Sequence, residues 1–272
     1  MEPFVKKDTT YYEIQDWADK YQDLVVGFST KHGGFSKEPF STLNFGFHVG
    51  DRDNDVCQNR RTLANMLDFP LKQWVGAEQT HQTTIQKVTK SDSGKGSSAY
   101  SDAFKKTDGF YTSESGLLLT LCYADCVPLY FIEPNKRLIG IAHAGWRGSV
   151  AGIGAEMISR WQGEGTNPSE VLVVIGPSIC ENCYIVDENV ITLLQNTLQD
   201  VENKPYHLIK ENQYRLNLQE LNKQILMNEG VLEEHILMTK LCTSCNHDVF
   251  FSHRRDNGKT GRMISFIGWK EA

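Results

Sequence analysis

The sequence has no excess of positive charge: its 272 residues carry a formal net charge of -6. A general nucleic-acid binder needs a basic surface to neutralise phosphates, so that class is set aside, although a local basic pocket for a small anion is not. No stretch approaches the roughly 20 apolar residues that a membrane-spanning helix requires. The longest apolar segment, Leu117 to Ile132, is interrupted by Asp125 and Pro128. The opening residues, Met1-Glu-Pro-Phe-Val-Lys-Lys-Asp, hold a basic pair with no apolar run behind it, unlike a secretory leader. The expectation is a cytoplasmic protein that partners neither nucleic acid nor membrane. The seven cysteines are Cys57, Cys122, Cys126, Cys180, Cys183, Cys242 and Cys245. An odd number without a leader argues against a disulfide framework and for reduced thiols. There is no internal repeat, and no Gly-x-x-x-x-Gly-Lys-[Ser/Thr] phosphate loop.

What is present is globular: 40% hydrophobic and 23% charged residues allow a sizeable core, in one large domain or two small ones. Leu24 to Ser29 reads as a strand, followed by a turn at Gly33-Gly34. Asp53 to Leu67 reads as a helix with Val56, Leu63, Met66 and Leu67 on one face and Asp53 or Asn54 as its cap. Trp74 to Val88 suggests two strands meeting at Gln79-Thr-His-Gln. Ser91 to Ser101, rich in Ser, Gly and Lys, reads as an exposed loop. Gly116 to Ile132 is apolar enough for a strand covered on both faces. Further strands are expected at Arg137 to Ala142, Val171 to Ile175 and Arg262 to Trp269. Helices are expected at about Val150 to Trp161, Glu188 to Leu198 and Leu216 to Glu229. This order is not a clean βαβ alternation and predicts an α+β layered fold.

Three segments place metal-competent side chains where packing or plain loop residues would be expected: His81 at a strand boundary, Asp125-Cys126 inside the most apolar run, and His143 between a strand and a helix. A buried carboxylate costs several kcal/mol unless it is paired or coordinates something, so Asp125 next to a thiol is informative. Two histidines and one cysteine make a plausible catalytic zinc set with a fourth position open. Taken singly, each of these residues is more often a packing or hydrogen-bonded residue than a ligand. Cys180-Glu-Asn-Cys183 and Cys242-Thr-Ser-Cys245 have the pairing of a four-thiolate structural zinc, but the long gap between them favours thiols that lie near each other and stay reduced. Lys31, Arg60, Arg147 and the run His253-Arg254-Arg255 sit beside turns or glycines, where they could hold an anion. A solvated surface is the commoner fate of such residues.

The segments Phe28-Ser-Thr-Lys-His-Gly-Gly-Phe-Ser, Gln79-Thr-His, Ala124-Asp-Cys-Val-Pro, His143-Ala-Gly-Trp-Arg-Gly, Ile175-Gly-Pro-Ser-Ile, Phe251-Ser-His-Arg-Arg-Asp and Thr260-Gly-Arg together resemble the laccase-domain family. Its members have been labelled polyphenol oxidase, peptidoglycan editing factor and purine nucleoside phosphorylase. The resemblance spans nearly the whole chain and implies a single catalytic domain over residues 1–272. It implies a layered α/β/β/α sandwich similar to cysteine-hydrolase-like toxins. It also implies zinc at His81, Cys126 and His143, and phosphorolysis of adenosine, inosine and methylthioadenosine to base and pentose 1-phosphate. Adenosine deamination is implied as a second activity, and older labels imply a copper-dependent phenol oxidase. Two departures stand out. Lys31 replaces a usual Arg and cannot make the same bidentate fork, and the thiols of Gly176 to Cys183 are arranged differently from many members.

The expected partners are therefore a purine nucleoside and phosphate, with Lys31, Arg60, Arg147 and Arg254 as phosphate-binding residues. Cys126, Asp125 and His143 are the expected catalytic residues. Asp125 would shuttle protons or orient a histidine ligand. The same residues leave other readings open: a Cys126–His143 amide hydrolase acting on peptidoglycan precursors, copper oxidation of phenols, or a metal-stabilised binding module. Oligomeric state is not readable.

Overall fold

The apolar run from Gly116 to Ile132 does not form one strand. It folds as two, Leu118–Tyr123 and Val127–Glu133, which belong to different sheets. Between them Ala124-Asp125-Cys126 turns the chain, with Asp125 at φ 86°. The run is uniformly apolar because both strands are covered on both faces. Leu119, Leu121 and Tyr123 enter the core between the sheets, while Leu118 packs with Leu63, Trp74 and Phe266 on the other side. In the second strand Tyr130 and Ile132 face the inter-sheet core, and Val127, Leu129 and Phe131 pack toward the helices.

The computed structural model describes residues 2–197 and 203–271. Its frame is two six-stranded sheets. The first runs in the order Phe4–Lys6, Tyr11–Ile14, Leu24–Ser29, Met263–Trp269, Leu118–Tyr123, Trp74–Val75. The second runs Ile236–Met238, Leu172–Ile175, Val127–Glu133, Leu138–Ala144, Gly109–Thr112, Ile85–Lys87. Three hydrophobic clusters mark the layers. One joins helix Asp53–Met66 to the first sheet, one lies between the sheets, and one joins the second sheet to helices Ile153–Gly163, Glu188–Thr197 and Leu218–Asn228. The expected α+β class holds, with helices on the outside of two packed sheets. Tyr130 Oη crosses the middle, donating to Gly27 O at 2.7 Å.

Local expectations are corrected in four places. Helix Asp53–Met66 has Arg52 as its N-cap with no side-chain cap, and Met66 is exposed rather than part of the apolar face. The helix expected from Val150 is two pieces, Trp146–Val150 and Ile153–Gly163, separated where Gly152 takes φ 83°. The two strands between Trp74 and Val88 exist but lie in different sheets. Ser91 to Ser101 is exposed only in part, since Gly96 and Ser97 are buried. The expected helix end at Leu198 lies outside the described residues. Among the described residues no helix is long and apolar enough to cross a membrane.

Candidate metal centre

Two of the three expected ligands sit where the chain passes from one sheet to the other. His81 lies between Trp74–Val75 of the first sheet and Ile85–Lys87 of the second. Cys126 ends the turn between Leu118–Tyr123 and Val127–Glu133. His143 is on strand Leu138–Ala144, opposite Pro128. The ligand atoms of His81, Cys126 and His143 all lie within 4.8 Å of one another. Gly145 closes this space: a Cβ there would stand 2.9 Å from His81 Cδ2 and 3.0 Å from Cys126 Sγ.

Asp108, which sequence reading missed, holds both histidines. Its Oδ1 accepts from His143 Nδ1 at 2.9 Å and from the His81 backbone N–H at 2.9 Å. Its Oδ2 accepts from the Gln82 N–H at 2.9 Å and the Thr80 N–H at 3.1 Å. These bonds secure the tight turn in which His81 takes φ 61°, an uncommon conformation for a side-chain-bearing residue. Burial works to raise the Asp108 pKa, but the hydrogen bond and charge of His143 and the backbone N–H groups outweigh it and hold the carboxyl below its ordinary value. An ionised carboxylate only accepts, so His143 Nδ1 carries the proton and Nε2 is left to meet Cys126.

Burial also works to raise the Cys126 thiol, but the His143 charge and hydrogen bonds to His143 and His81 bring it down to about 6. Conversely, burial works to lower His143, and the Cys126 charge with the Asp108 and Cys126 hydrogen bonds raises it to about 9. The two opposite shifts both favour a thiolate next to an imidazolium. A soft thiolate flanked by two imidazole nitrogens on one side of an open cavity is a donor set suited to zinc or copper.

The donors form the floor of a cavity of about 520 Å³, within the size range of small-ligand sites. Its lining combines the apolar side chains of Trp146, Ile179, Tyr184 and Leu218 with the cations Arg147, Arg254 and Arg262. Arg147 lies over the Trp146 ring at 4.4 Å and Arg254 over the Tyr184 ring at 4.8 Å. Arg254 Nη1 donates to Ile185 O at 2.7 Å, and Arg262 Nη1 to Thr260 O and Gly261 O at 3.0 Å.

With this geometry in place, comparison is decisive. The family model for multi-copper polyphenol oxidoreductase laccase matches residues 25–270. The chain belongs to this family. A laccase-family relative from Bacillus subtilis strain 168, purine nucleoside phosphorylase YlmD, is 48% identical and covers 99% of this chain and 98% of its own length. Purine nucleoside phosphorylase SERP0752 of Staphylococcus epidermidis is 34% identical, with 99% of each chain covered. The crystal structure of YlmD from Geobacillus stearothermophilus superposes with a TM-score of 0.97 at 47% identity, with 100% of each chain covered.

In this laccase-family chain, His81, Cys126, His143, Arg147 and Arg254 meet at one cavity. Lys31 is elsewhere: its Nζ donates to His247 O at 2.7 Å, and it lines a separate hollow with Arg255 and Lys259. Arg60, expected to hold phosphate, is buried. Its guanidinium donates to Phe45 O at 2.8 Å, Gly96 O at 2.8 Å and Ser97 O at 3.2 Å. Removing the guanidinium leaves these buried carbonyls without its donors. An Arg60→Ala variant is therefore expected to lose about 3 kcal/mol of stability in urea denaturation, with KM for every substrate unchanged. A raised KM at unchanged stability would return Arg60 to the cavity.

Asp125 also lines the cavity, with both carboxylate oxygens already engaged. The carboxylate that orients His143 is Asp108. Asp125 Oδ1 accepts from Thr243 Oγ1 at 2.7 Å, and Oδ2 from Ser252 Oγ at 3.0 Å and the Arg254 N–H at 2.7 Å. It fastens two points of the single long connection between Ile236–Met238 and Met263–Trp269 to the turn that carries Cys126, and fixes the backbone from which Arg254 enters the cavity. Arg262, read from the sequence only as the start of a strand and the end of Thr260-Gly-Arg, also lines the cavity. Cys180, Cys183, Cys242 and Cys245 form a second group that could hold a metal, with ligand atoms within 4.8 Å of one another.

Proposed function

We propose that this protein is a zinc-dependent purine nucleoside phosphorylase, cleaving adenosine, inosine and methylthioadenosine to free base and pentose 1-phosphate, with adenosine deamination as a second activity. The observation that carries the reading is the His81–Cys126–His143 donor set in a cavity that is also lined by arginines and by the aromatic rings they stack on. The names of the relatives support the same substrate class. The two-nitrogen, one-thiolate set fits zinc with a position open to the cavity. A zinc ion held by these residues supplies a Lewis acid.

The chain's own residues divide the remaining work. Arg147 and Arg254 bind phosphate, their guanidinium groups oriented by the rings beneath them and, for Arg254, by Ile185 O. Trp146, Ile179 and Tyr184 cover the faces of the base and exclude water. Asp108 fixes the tautomer and angle of His143. An Asp108→Asn variant keeps the shape but replaces an acceptor oxygen with a donor. It is expected to weaken metal affinity and kcat/KM by about 10- to 100-fold, read by competition with a chromogenic chelator and by product formation.

The test of the function is metal-loaded protein incubated with adenosine and phosphate, with adenine, pentose 1-phosphate and inosine followed by chromatography. If none of the three forms, the proposal fails; inosine alone would leave deamination and remove phosphorolysis. A second reading has its own observation: Cys126, His143 and Asp108 follow the order nucleophile, base, orienting acid. Under that reading the protein is an amide hydrolase, active after complete metal removal and inactivated by thiol alkylation. Metal-free protein without activity excludes it. Copper oxidation of phenols is distinguished by oxygen uptake on copper loading.

A further inference from the structure

The four remaining paired cysteines have no part in the proposed reaction, and topology explains why they meet. Strands Leu172–Ile175 and Ile236–Met238 are parallel neighbours. Parallel neighbours end at the same edge of a sheet, so the loops that follow them leave side by side. The Ser178–Cys242 bridge extends this pairing beyond the strands, and the Thr243 N–H donates to Ser178 O at 3.0 Å. The long sequence gap that argued against a metal site is thus a structural insertion: it holds a small three-stranded sheet and two helices between neighbouring strands.

Each Cys-x-x-Cys segment is a tight turn. The Cys183 N–H donates to Cys180 O at 3.0 Å, and the Asn246 N–H to Cys242 O at 3.0 Å. The four Sγ atoms lie within 4.8 Å of one another, with Cys180–Cys245 at 3.8 Å and Cys183–Cys245 at 3.4 Å. A tetrahedral zinc with bonds of about 2.3 Å separates its sulfurs by about 3.8 Å, whereas a disulfide requires about 2.0 Å. The buried Cys242 Sγ accepts from both the Cys180 N–H and the Cys245 N–H at 3.3 Å. Two amides aimed at one sulfur fix its position between the two turns. Arg255, paired with Asp256, braces the same turn, with Nη1 donating to Thr243 O at 3.2 Å and Ser244 O at 3.4 Å.

We propose that Cys180, Cys183, Cys242 and Cys245 bind a structural zinc ion, separate from the catalytic centre, that clips the loop after Leu172–Ile175 to the loop after Ile236–Met238. Four protein sulfurs complete the tetrahedron, so no position is open for substrate or water. On binding, each thiol loses its proton to solvent as its Sγ–Zn bond forms. The clip reaches the cavity through Thr243, which lies between two of the ligands and donates to Asp125, and through Ile179 and Tyr184, which line the wall beside the other two. The site is independent of the nucleoside reading and stands if that reading fails.

The experiment uses the full-length protein and a His81→Ala/Cys126→Ala variant, which lacks two of the three donors of the first centre but keeps the four thiols. Elemental analysis after gel filtration is expected to find two zinc per wild-type chain and one in the variant. Cobalt exchanged into the variant is expected to give the intense thiolate charge-transfer and visible bands of a tetrahedral four-sulfur site. A Cys180→Ser/Cys183→Ser variant should lose one zinc and keep the other. Because that variant can also fail to fold, a mercurial titration of the His81→Ala/Cys126→Ala protein supplies a second measurement: zinc release should follow capture of the four thiols. The proposal is overturned if the folded His81→Ala/Cys126→Ala protein holds no metal, holds iron in place of zinc, or carries a disulfide among these four residues.

Discussion

Replacing Cys126 with Ala is expected to lower kcat/KM for phosphorolysis roughly a thousandfold while leaving the fold intact. The thiolate is the one anionic donor among the three, and its loss leaves two neutral imidazoles to hold a dication. The Lewis acid is worth several kcal/mol to the reaction, which sets the size of the effect. The sulfur itself packs modestly. Cys126 is half-buried, so removing it should cost about 1 kcal/mol of stability. The far-ultraviolet circular dichroism should therefore match wild type, while elemental analysis shows one metal fewer. Retention of both metal and activity would remove Cys126 from the centre. A Cys126→Ser variant sharpens the result, because it keeps the shape and supplies a hydroxyl in place of the thiolate.

The largest stability effect is expected at Asp125. Asp125→Ala leaves Thr243 Oγ1, Ser252 Oγ and the Arg254 N–H facing a void. Each buried, unanswered donor costs about 1–3 kcal/mol, and the bonds to a charged acceptor lie at the upper end. Alanine also fits poorly at φ 86°, where the short polar side chain of Asp is better tolerated. A total loss of about 3–5 kcal/mol is expected from urea denaturation. Asp125→Asn keeps the backbone preference and one acceptor oxygen, but turns a donor toward other donors. It should fall between alanine and wild type, and should raise KM for phosphate by loosening the Arg254 backbone. Equal stability of Asp125→Ala and wild type would show that the three hydrogen bonds carry no net weight.

The sequence was most legible where local pattern and tertiary role agree. The Leu24–Ser29 strand was placed to the residue, and the grouping of His81, Cys126 and His143, whose donor atoms the structure brings together, was visible because these residues interrupt otherwise apolar or turn-forming segments. The break at Asp125 was visible as an acid in an apolar run, but its meaning was not. A run apolar on both faces looks the same whether it is one long strand or two strands in two sheets. Asp108 escaped notice because Thr107-Asp108-Gly109 reads as an ordinary turn, and the carboxylate gains its role only through contacts with residues far along the chain. Arg60 could have been read correctly. It falls in line with Val56 and Leu63 on the buried stripe of its helix, one turn from each, and a charge on that stripe must find partners inside. The thiol quartet was judged by sequence distance, which parallel strand pairing makes irrelevant.

The two crossings that carry His81 and Cys126 have a mechanical consequence. A breathing motion confined to either sheet moves one flank of each crossing and leaves the other fixed, whereas a slide of one sheet over the other displaces both donors at once relative to His143. The centre therefore behaves as a rivet through the two layers, with its geometry set by their registry. Repacking the midplane, for example at Tyr130 where a hydrogen bond spans the sheets, would be felt in the spacing of the three donor side chains before it was felt at the surface.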